Sequence, residues 1–353
     1  MVLYYSIMNT HTLSKKKQDL FSDYCQFLLA SFTNFTQTYF ADRTDKWNHD
    51  QLNRFLRNEN IPSSDLWQSV QDDIEYDDEG YLIFDDVVLS KAHAKAIEVL
   101  RSQWSGSDKK VVDSIGIVTC IYVNPKTQEY WIIDYRIYDK DHDGKSKIDH
   151  LLEMLHNAYF KKQLPFRIVL MDAWYASMQV MKAIETLSKI YYVPLKRNRL
   201  VNDTDGVEPH QQAKDLSWDQ TEILQGKRVH INKFPKGHQV KLFRIASSTG
   251  STEYIATNDL SQSDVDATTQ EYRVRWKIEQ LHREIKQLTG IGKCQCRKMR
   301  AQRNHIACCF QVWVCMKRAA SRLGKTIYNL KGSLLDDYLR YQLSNPSIIF
   351  KNA

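Results

Sequence analysis

The sequence predicts an α/β protein: a mixed five-stranded sheet flanked by helices, with an inserted β-rich subdomain and helical N- and C-terminal regions. Short apolar runs rich in β-branched and aromatic residues recur between residues 81 and 195, as is typical of buried strands. Segments with helical spacing of apolar residues separate the later runs. The resulting order, three strands, helix, strand, helix, strand, is buried most economically as one sheet covered by helices.

Length, composition and charge limit the possible classes of protein. A chain of 353 residues with 42% hydrophobic content can bury a large core and divide into more than one unit. A net charge of +7 favours a polyanionic partner, with nucleic acid the leading candidate. The start lacks the order of a secretion signal, and the run "IACCFQVWVCM" is too short to span a bilayer. We therefore expect a cytoplasmic protein with no membrane partner.

The first segment, residues 1–77, is predicted to be a small helical module that binds DNA. Apolar residues recur at helical spacing in "LFSDYCQFLL" and in "HDQLNRFLRNE". The sequence does not indicate which helix would read DNA.

Residues 78–200 carry the predicted strands of the sheet. "YLIFDDVVL" predicts the first strand, and "VVDSIGIVTCIYV" and "EYWIIDYRIY" predict a hairpin joined at "NPKTQ". The helix "KIDHLLEMLHNAYF", the strand "FRIVLMD", the helix "AWYASMQVMKAIETL" and the strand "IYYVPLK" follow.

Aspartates stand within two of these apolar strands. Asp85 and Asp86 lie in the first, and Asp172 ends the fourth. A buried carboxylate is costly unless it coordinates something, so metal ligation would explain these positions; aspartates at an edge or facing solvent are the alternative. Asp85 and Asp86 face opposite sides of an alternating strand, so only one can join a shared site.

Residues 201–251 are predicted to form an inserted basic β-rich subdomain, and residues 252–300 to return to the sheet domain. There "YRVRWKIEQLHREIK" predicts one amphipathic helix. Its polar side carries Tyr272, Arg275, Glu279, Arg283 and Lys286. This strip is either a solvated face with ion pairs or a site for metal and phosphate. Residues 301–353 are predicted to be helical.

Four cysteines and one histidine cluster around the start of that last segment. The members are Cys294, Cys296, His305, Cys308 and Cys309. Their spacing lacks the usual paired pattern of a zinc site. Seven cysteines in a chain of this size indicate reduced, buried thiols rather than a disulfide framework or zinc.

Four residues of the strip match a known signature. Tyr272, Arg275, Glu279 and Lys286 fit Y-x2-R-x3-E-x6-K, which resembles the DDE transposases of bacterial insertion sequences, in their insertion-sequence-four-like branch. "FDDVVLSK" resembles the first-aspartate strand of this family, and "VLMDAWYAS" resembles its second-aspartate segment. The resemblance covers roughly residues 78 to 310.

The resemblance implies an RNase H-like fold with Asp85, Asp172 and Glu279 as catalytic residues and metal ligands. Asp86 is the alternative to Asp85, because Val87 stands where the family commonly has Thr or Ser after the catalytic aspartate. The implied cofactors are two Mg²⁺ ions, with Mn²⁺ as a substitute, and no small-molecule cofactor. Two such ions about 3.5 to 4 Å apart activate the attacking oxygen and stabilise the leaving one at phosphorus.

The implied function is cut-and-paste DNA transposition: an endonuclease step at the ends of the insertion sequence, then transfer of the freed 3′ hydroxyl into target DNA. Element ends and target are double-stranded DNA, held by a homodimer in a cytoplasmic, nucleoid-associated complex of a bacterium. The expected DNA contacts are Tyr272, Arg275, Arg283, Lys286, Lys196, Arg197 and Arg199. Two alternatives are a catalytically inactive, domesticated DNA-binding protein and a stand-alone RNase H-like nuclease.

Overall fold

A computed structural model describes residues 13–91, 96–106, 109–246 and 251–346, except the side chains of Ser105 and Asp337. The chain forms two compact units. The helical unit comprises Met1–Asp73, Val88–Gly116 and Gln280–Ala353, and the sheet unit comprises Ile74–Val87 and Ile117–Glu279. The ends of the predicted first and last segments, residues 1–12 and 347–353, lie outside the described residues, as do residues 247–250 of the predicted insertion.

Helices dominate both ends of the chain, and strands dominate its middle. The helices are α1 (Lys15–Ala30), α2 (Gln37–Ala41), α3 (His49–Asn58), α4 (Ser63–Val70), α5 (Lys140–Asp143), α6 (Lys147–His156), α7 (Met178–Thr186), α8 (Gln220–Gln225), α9 (Val265–Arg273), α10 (Trp276–Leu288), α11 (Met299–Arg322) and α12 (Ile327–Ser344). The strands are β1 (Tyr81–Ser90), β2 (Arg101–Ser105), β3 (Lys110–Val123), β4 (Tyr130–Ile137), β5 (Ile168–Met171), β6 (Ile190–Leu195), β7 (Leu200–Asn202), β8 (Gln211–Gln212), β9 (Lys227–Ile231), β10 (Val240–Ala246) and β11 (Thr252–Thr257).

The helical unit is built around α11, which packs against α1, α3, α4 and α12. Its largest fully buried side chains include Trp313 and Phe310. Both helical patterns of the N-terminal segment are helices, α1 and α3. The α3 helix begins at a reciprocal cap in which Asn48 and Gln51 each bond the other's backbone N–H, because both side chains satisfy otherwise unpaired amides. Among the described residues, no helix is long and apolar enough to cross a membrane.

The sheet unit contains a mixed sheet flanked by helices, as the sequence predicts. All five predicted strands are present, as β1, β3, β4, β5 and β6. Three of them, β1, β5 and β6, are parallel neighbours in that order. The sheet is larger than predicted, because β11 pairs antiparallel with β6 and β10 pairs with β11. Strand β11, from the segment predicted to return to the sheet domain, thus covers the edge that β6 would otherwise expose, and β10 from the predicted insertion extends the sheet beyond it.

Two predicted helices differ from the structure. The helix expected over 173–187 starts only at Met178, after a 3₁₀ turn at Ala173–Tyr175. Ser177 caps α7 by accepting a hydrogen bond from the Val180 N–H at 3.3 Å, which fixes the later start.

The prediction of a single helix over residues 272–286 is also wrong. A turn at Val274 and Arg275 divides this segment into the end of α9 and most of α10. The predicted apolar side is nevertheless mostly buried, at Ile278, Leu281 and Ile285.

Candidate active site

Two parallel strands bring Asp85 and Asp172 side by side. Phe84 of β1 pairs with Met171 of β5 in the last register position of this ladder. Each aspartate is the next residue along its chain, so both carboxylates lie at the point where β5 ends. The backbone carbonyl of Asp85 accepts a hydrogen bond from the Thr119 hydroxyl at 3.1 Å, which fixes this part of β1 against β3.

Acidic side chains outnumber basic ones around Asp85. Burial raises the pKa of Asp85 to about 7, and the neighbouring carboxylates of Asp86 and Asp172 contribute to this rise, whereas Arg275 opposes it. The Asp86 N–H donates to Asp85 Oδ1 at 2.8 Å. Asp85 thus sits in a partly desolvated cluster of acids in which added positive charge would be stabilising.

Arg275 supplies positive charge at this cluster. One guanidinium nitrogen lies 3.8 Å from Asp85 Oδ2, and another lies 2.6 Å from Glu279 Oε1. Its Nε donates to the Tyr272 hydroxyl at 3.0 Å. Tyr272 is on the last turn of α9, Arg275 is in the turn between helices, and Glu279 is on the first turn of α10. Tyr272 and Glu279 therefore meet at the Arg275 guanidinium, which also faces Asp85. The turn, and not one helix face, brings these three strip residues together.

Asp86 points to different partners. Lys147 Nζ lies 2.6 Å from Asp86 Oδ2, and the Tyr175 hydroxyl donates to Asp86 Oδ1 at 3.2 Å. Both oxygens of Asp86 are therefore engaged. Neither Lys147 nor Tyr175 is predicted from the sequence. The only signal for Tyr175 is its position three residues after Asp172, and the predicted helix over that segment concealed it.

The donor chemistry of the three acids fits a hard divalent cation. Asp85, Asp172 and Glu279 offer carboxylate oxygens, the ligands that Mg²⁺ prefers. Within the described residues, no three Asp, Glu, His or Cys side chains are already close enough to enclose a metal ion. The cationic Arg275 lies between the carboxylates of Asp85 and Glu279. The three acids suit a metal ion in their chemistry and charge. For all three carboxylates to surround one ion, Arg275 would have to release Glu279.

A basic cleft adjoins Asp172. It has a volume of about 410 Å³, and its lining includes Lys196, Arg199, Lys233 and the indole of Trp174, which is 47% exposed. Arg199 is half-buried, burial lowers its pKa, and its Nε has no hydrogen-bond partner among the described residues. Arg197 is exposed but is not part of the lining. The cleft offers cations and a flat aromatic surface next to the acidic cluster.

The two remaining residues predicted to contact DNA lie further along α10. Arg283 and Lys286 have exposed side chains, four and seven residues after Glu279.

The cysteines are free thiols, and most are buried. His305 is buried in the helical unit, where one ring nitrogen bonds the Tyr24 hydroxyl at 2.8 Å and the other bonds the Gly290 carbonyl at 3.1 Å. This histidine therefore has a structural role in the core.

Comparison with known proteins identifies a family for this chain. The family model described as "Transposase DDE domain" matches residues 80–315, more than half of the chain. Among solved structures, the chain is similar to the cryo-EM structure of a piggyBac transposase synaptic complex with hairpin DNA, with a TM-score of 0.49 and 12% sequence identity. The match covers 95% of this chain and 74% of the other. No curated protein sequence matches the chain significantly.

Proposed function

The chain belongs to the DDE transposase family, whose members cleave and join DNA, and we propose that Asp85, Asp172 and Glu279 are the three acids of its active site. The single observation that supports this assignment is that Asp85 is near both of the other acids: it follows the last paired residue of β1 beside Asp172, and it shares the Arg275 guanidinium with Glu279. These residues come from three segments far apart in the sequence.

Asp85 is a better candidate than Asp86 for the first acid. Asp86 is held by Lys147 and Tyr175, whereas Asp85 faces Arg275 and is electrostatically coupled to Asp172. Lys147 would have to be displaced before Asp86 could bind a metal, as Arg275 would before Glu279 could, whereas the ion pair of Asp85 with Arg275 is longer, at 3.8 Å. The contacts of Asp86 therefore support Asp85 as the ligand.

The proposed cofactor is Mg²⁺, as two ions, with Mn²⁺ as a substitute. Asp85, Asp172 and Glu279 would hold the ions. When bound, such ions lower the pKa of an attacking water or hydroxyl and offset charge on the phosphate. The position of Arg275 supports this proposal, because its guanidinium is a positive charge held between the carboxylates of Asp85 and Glu279.

Arg275 and Tyr272 would act on the DNA strand itself. Once released from Glu279, the Arg275 guanidinium can bond two phosphate oxygens. The hydrogen bond from its Nε to the Tyr272 hydroxyl keeps the plane of the guanidinium fixed. Arg283 and Lys286 on α10 and the cations of the cleft, Lys196 and Arg199, would contact the DNA backbone, with Arg197 beside them. The match of Tyr272, Arg275, Glu279 and Lys286 to Y-x2-R-x3-E-x6-K supports membership of the insertion-sequence-four-like branch.

In the proposed reaction, a homodimer in a bacterial cell holds two element ends, releases their 3′ hydroxyls and transfers these into target DNA. The test uses purified protein, Mg²⁺ and DNA that carries the ends flanking its gene. Wild-type protein is expected to give cleaved and strand-transfer products. Glu279→Gln is expected to abolish both while binding the same DNA.

The same assay separates the other two functions. An inactive, domesticated DNA-binding protein would bind the ends and give no product. A stand-alone nuclease would cleave without joining. Full activity of Glu279→Gln would overturn the proposed site.

A further inference from the structure

A largely buried polar link joins the neighbours of the two strand aspartates. Asp86 follows Asp85 on β1, and Tyr175 lies three residues after Asp172. The Tyr175 hydroxyl donates to Asp86 Oδ1 at 3.2 Å, and Lys147 Nζ bonds Asp86 Oδ2 at 2.6 Å. The link connects the two chain segments just beyond Phe84 and Met171, where the backbone pairing of β1 with β5 ends.

The members of this link are fixed in place by their surroundings. Tyr175 is fully buried and its N–H donates to the Asp172 carbonyl at 3.0 Å, so that ring and aspartate belong to one 3₁₀ turn. Lys147 is the first residue of α6, and the side chain of Ser146 caps this helix together with Asp149. The side chain of Lys147 is 13% exposed, and its ammonium lies 5.6 Å from the ring centroid of Tyr138.

The charges explain why all three members are needed. Asp85 and Asp172 repel each other when both are ionised, and this repulsion would spread the ends of their strands. The Asp86 carboxylate connects to Tyr175 but would by itself add a further negative charge. Lys147 offsets that charge, so the link holds the strands together without increasing the repulsion.

We propose that Lys147, Asp86 and Tyr175 form a positioning unit that fixes the separation of Asp85 and Asp172 and so sets the affinity of the site for divalent metal. This inference rests on the proposed function, because it takes Asp85 and Asp172 as ligands. The three residues touch neither metal nor DNA in this role. Residues that orient metal ligands in this way typically change metal affinity by about 10- to 100-fold when they are removed.

The test measures binding of Mn²⁺ to the full chain without DNA, by electron paramagnetic resonance of free Mn²⁺ and by calorimetry. Tyr175→Phe removes only the hydroxyl and is expected to raise the Kd for Mn²⁺ by about tenfold. Tyr191→Phe is a matched control. Tyr191 is equally buried in the same unit, and its hydroxyl also bonds a carboxylate, Glu185, at 3.2 Å. Its removal is expected to leave the Kd unchanged.

Lys147 gives an independent test. Lys147→Met is expected to weaken Mn²⁺ binding by a similar factor, and Lys147→Arg to restore most of it, because the guanidinium keeps the charge beside Asp86. Saturating metal is expected to return the cleavage rate of Tyr175→Phe toward that of wild type. Thermal unfolding of each variant shows whether the fold is kept.

Asp85→Asn distinguishes a failure of the positioning unit from a failure of the proposed site. If Asp85→Asn abolishes Mn²⁺ binding while Tyr175→Phe and Lys147→Met bind as wild type does, the positioning unit is wrong and the proposed site stands. If Asp85→Asn and Asp172→Asn both bind Mn²⁺ normally, the proposed site itself is wrong. Loss of binding by Asp86→Asn at every Mn²⁺ concentration would make Asp86 a ligand and would also overturn the positioning role.

Discussion

Arg275 forms a 2.6 Å ion pair with Glu279, one helical turn further along the chain. The same guanidinium also faces Asp85 and donates a hydrogen bond to the Tyr272 hydroxyl. One planar cation therefore contacts three side chains through different nitrogen atoms. A Lys ammonium cannot reproduce that geometry, because it is a compact charge without a fixed fork.

Arg275→Lys is therefore expected to slow DNA cleavage on the order of a hundredfold, as when a reacting group is misplaced by about 1 Å. DNA binding should change little, since the net charge is kept. Single-turnover cleavage and a mobility-shift titration measure the two effects. Arg273→Lys is the control, because Arg273 is an exposed arginine two residues earlier. Equal rates for Arg275→Lys and wild type would contradict the role assigned to the guanidinium.

Divalent metal is expected to stabilise the folded chain through the acids. At a Mg²⁺ concentration about 100 times the Kd, each bound ion adds about 2.7 kcal/mol to the free energy of unfolding. Thermal unfolding with and without Mg²⁺ at pH 8 measures this effect. Asp85→Asn and Glu279→Gln should lose most of the increase. An increase that is the same in wild type and in both variants would place the metal elsewhere.

The strands of this site could be predicted from sequence, because their apolar residues form short runs bounded by turn residues. The same apolar runs indicate Asp85 and Asp172 as candidate site residues, because a carboxylate is unusual within or at the end of such a run. Their adjacency could not be read from either run, because it depends on the pairing of β1 with β5, whose partner residues are 87 positions apart in the chain.

The turn at Val274 and Arg275 shows a different limit of sequence reasoning. The segment contains neither Gly nor Pro, and its apolar spacing fits one helix. The helix nevertheless breaks there, and Arg275 in the turn contacts Tyr272, Glu279 and Asp85. Tertiary contacts of this kind override local propensity. No local sequence pattern indicates the contact of Lys147 either, because its partner Asp86 is 61 residues away in the chain.

The basic cleft beside Asp172 is expected to contribute to DNA affinity through counterion release. Lys196→Gln with Arg199→Gln should weaken binding and should reduce the slope of log K against log salt by about 0.9 for each phosphate that the protein no longer neutralises. Fluorescence anisotropy at several salt concentrations measures both quantities. Lys140→Gln is the control, because Lys140 is exposed in the same unit and does not line the cleft. An unchanged salt slope in the double variant would remove the cleft from the DNA interface.

His305 is expected to make the helical unit sensitive to acid. Burial lowers the pKa of His305 to about 4, from an ordinary value of 6.5. Between these two pH values the unfolded chain binds more protons than the folded chain, so the free energy of unfolding falls as the pH drops from 6.5 toward 4. The full contribution, about 3 kcal/mol, is present above pH 6.5.

Urea unfolding of wild type and His305→Gln at pH 7 and pH 4.5 measures this dependence. The variant lacks the titrating ring, so it should lose less stability than wild type between the two pH values, even if it is less stable at pH 7 because the bonds to Tyr24 and Gly290 are altered. His49→Gln, at an exposed position, should follow the wild-type curve. An equal loss of stability in wild type and His305→Gln would show that other groups cause the acid sensitivity.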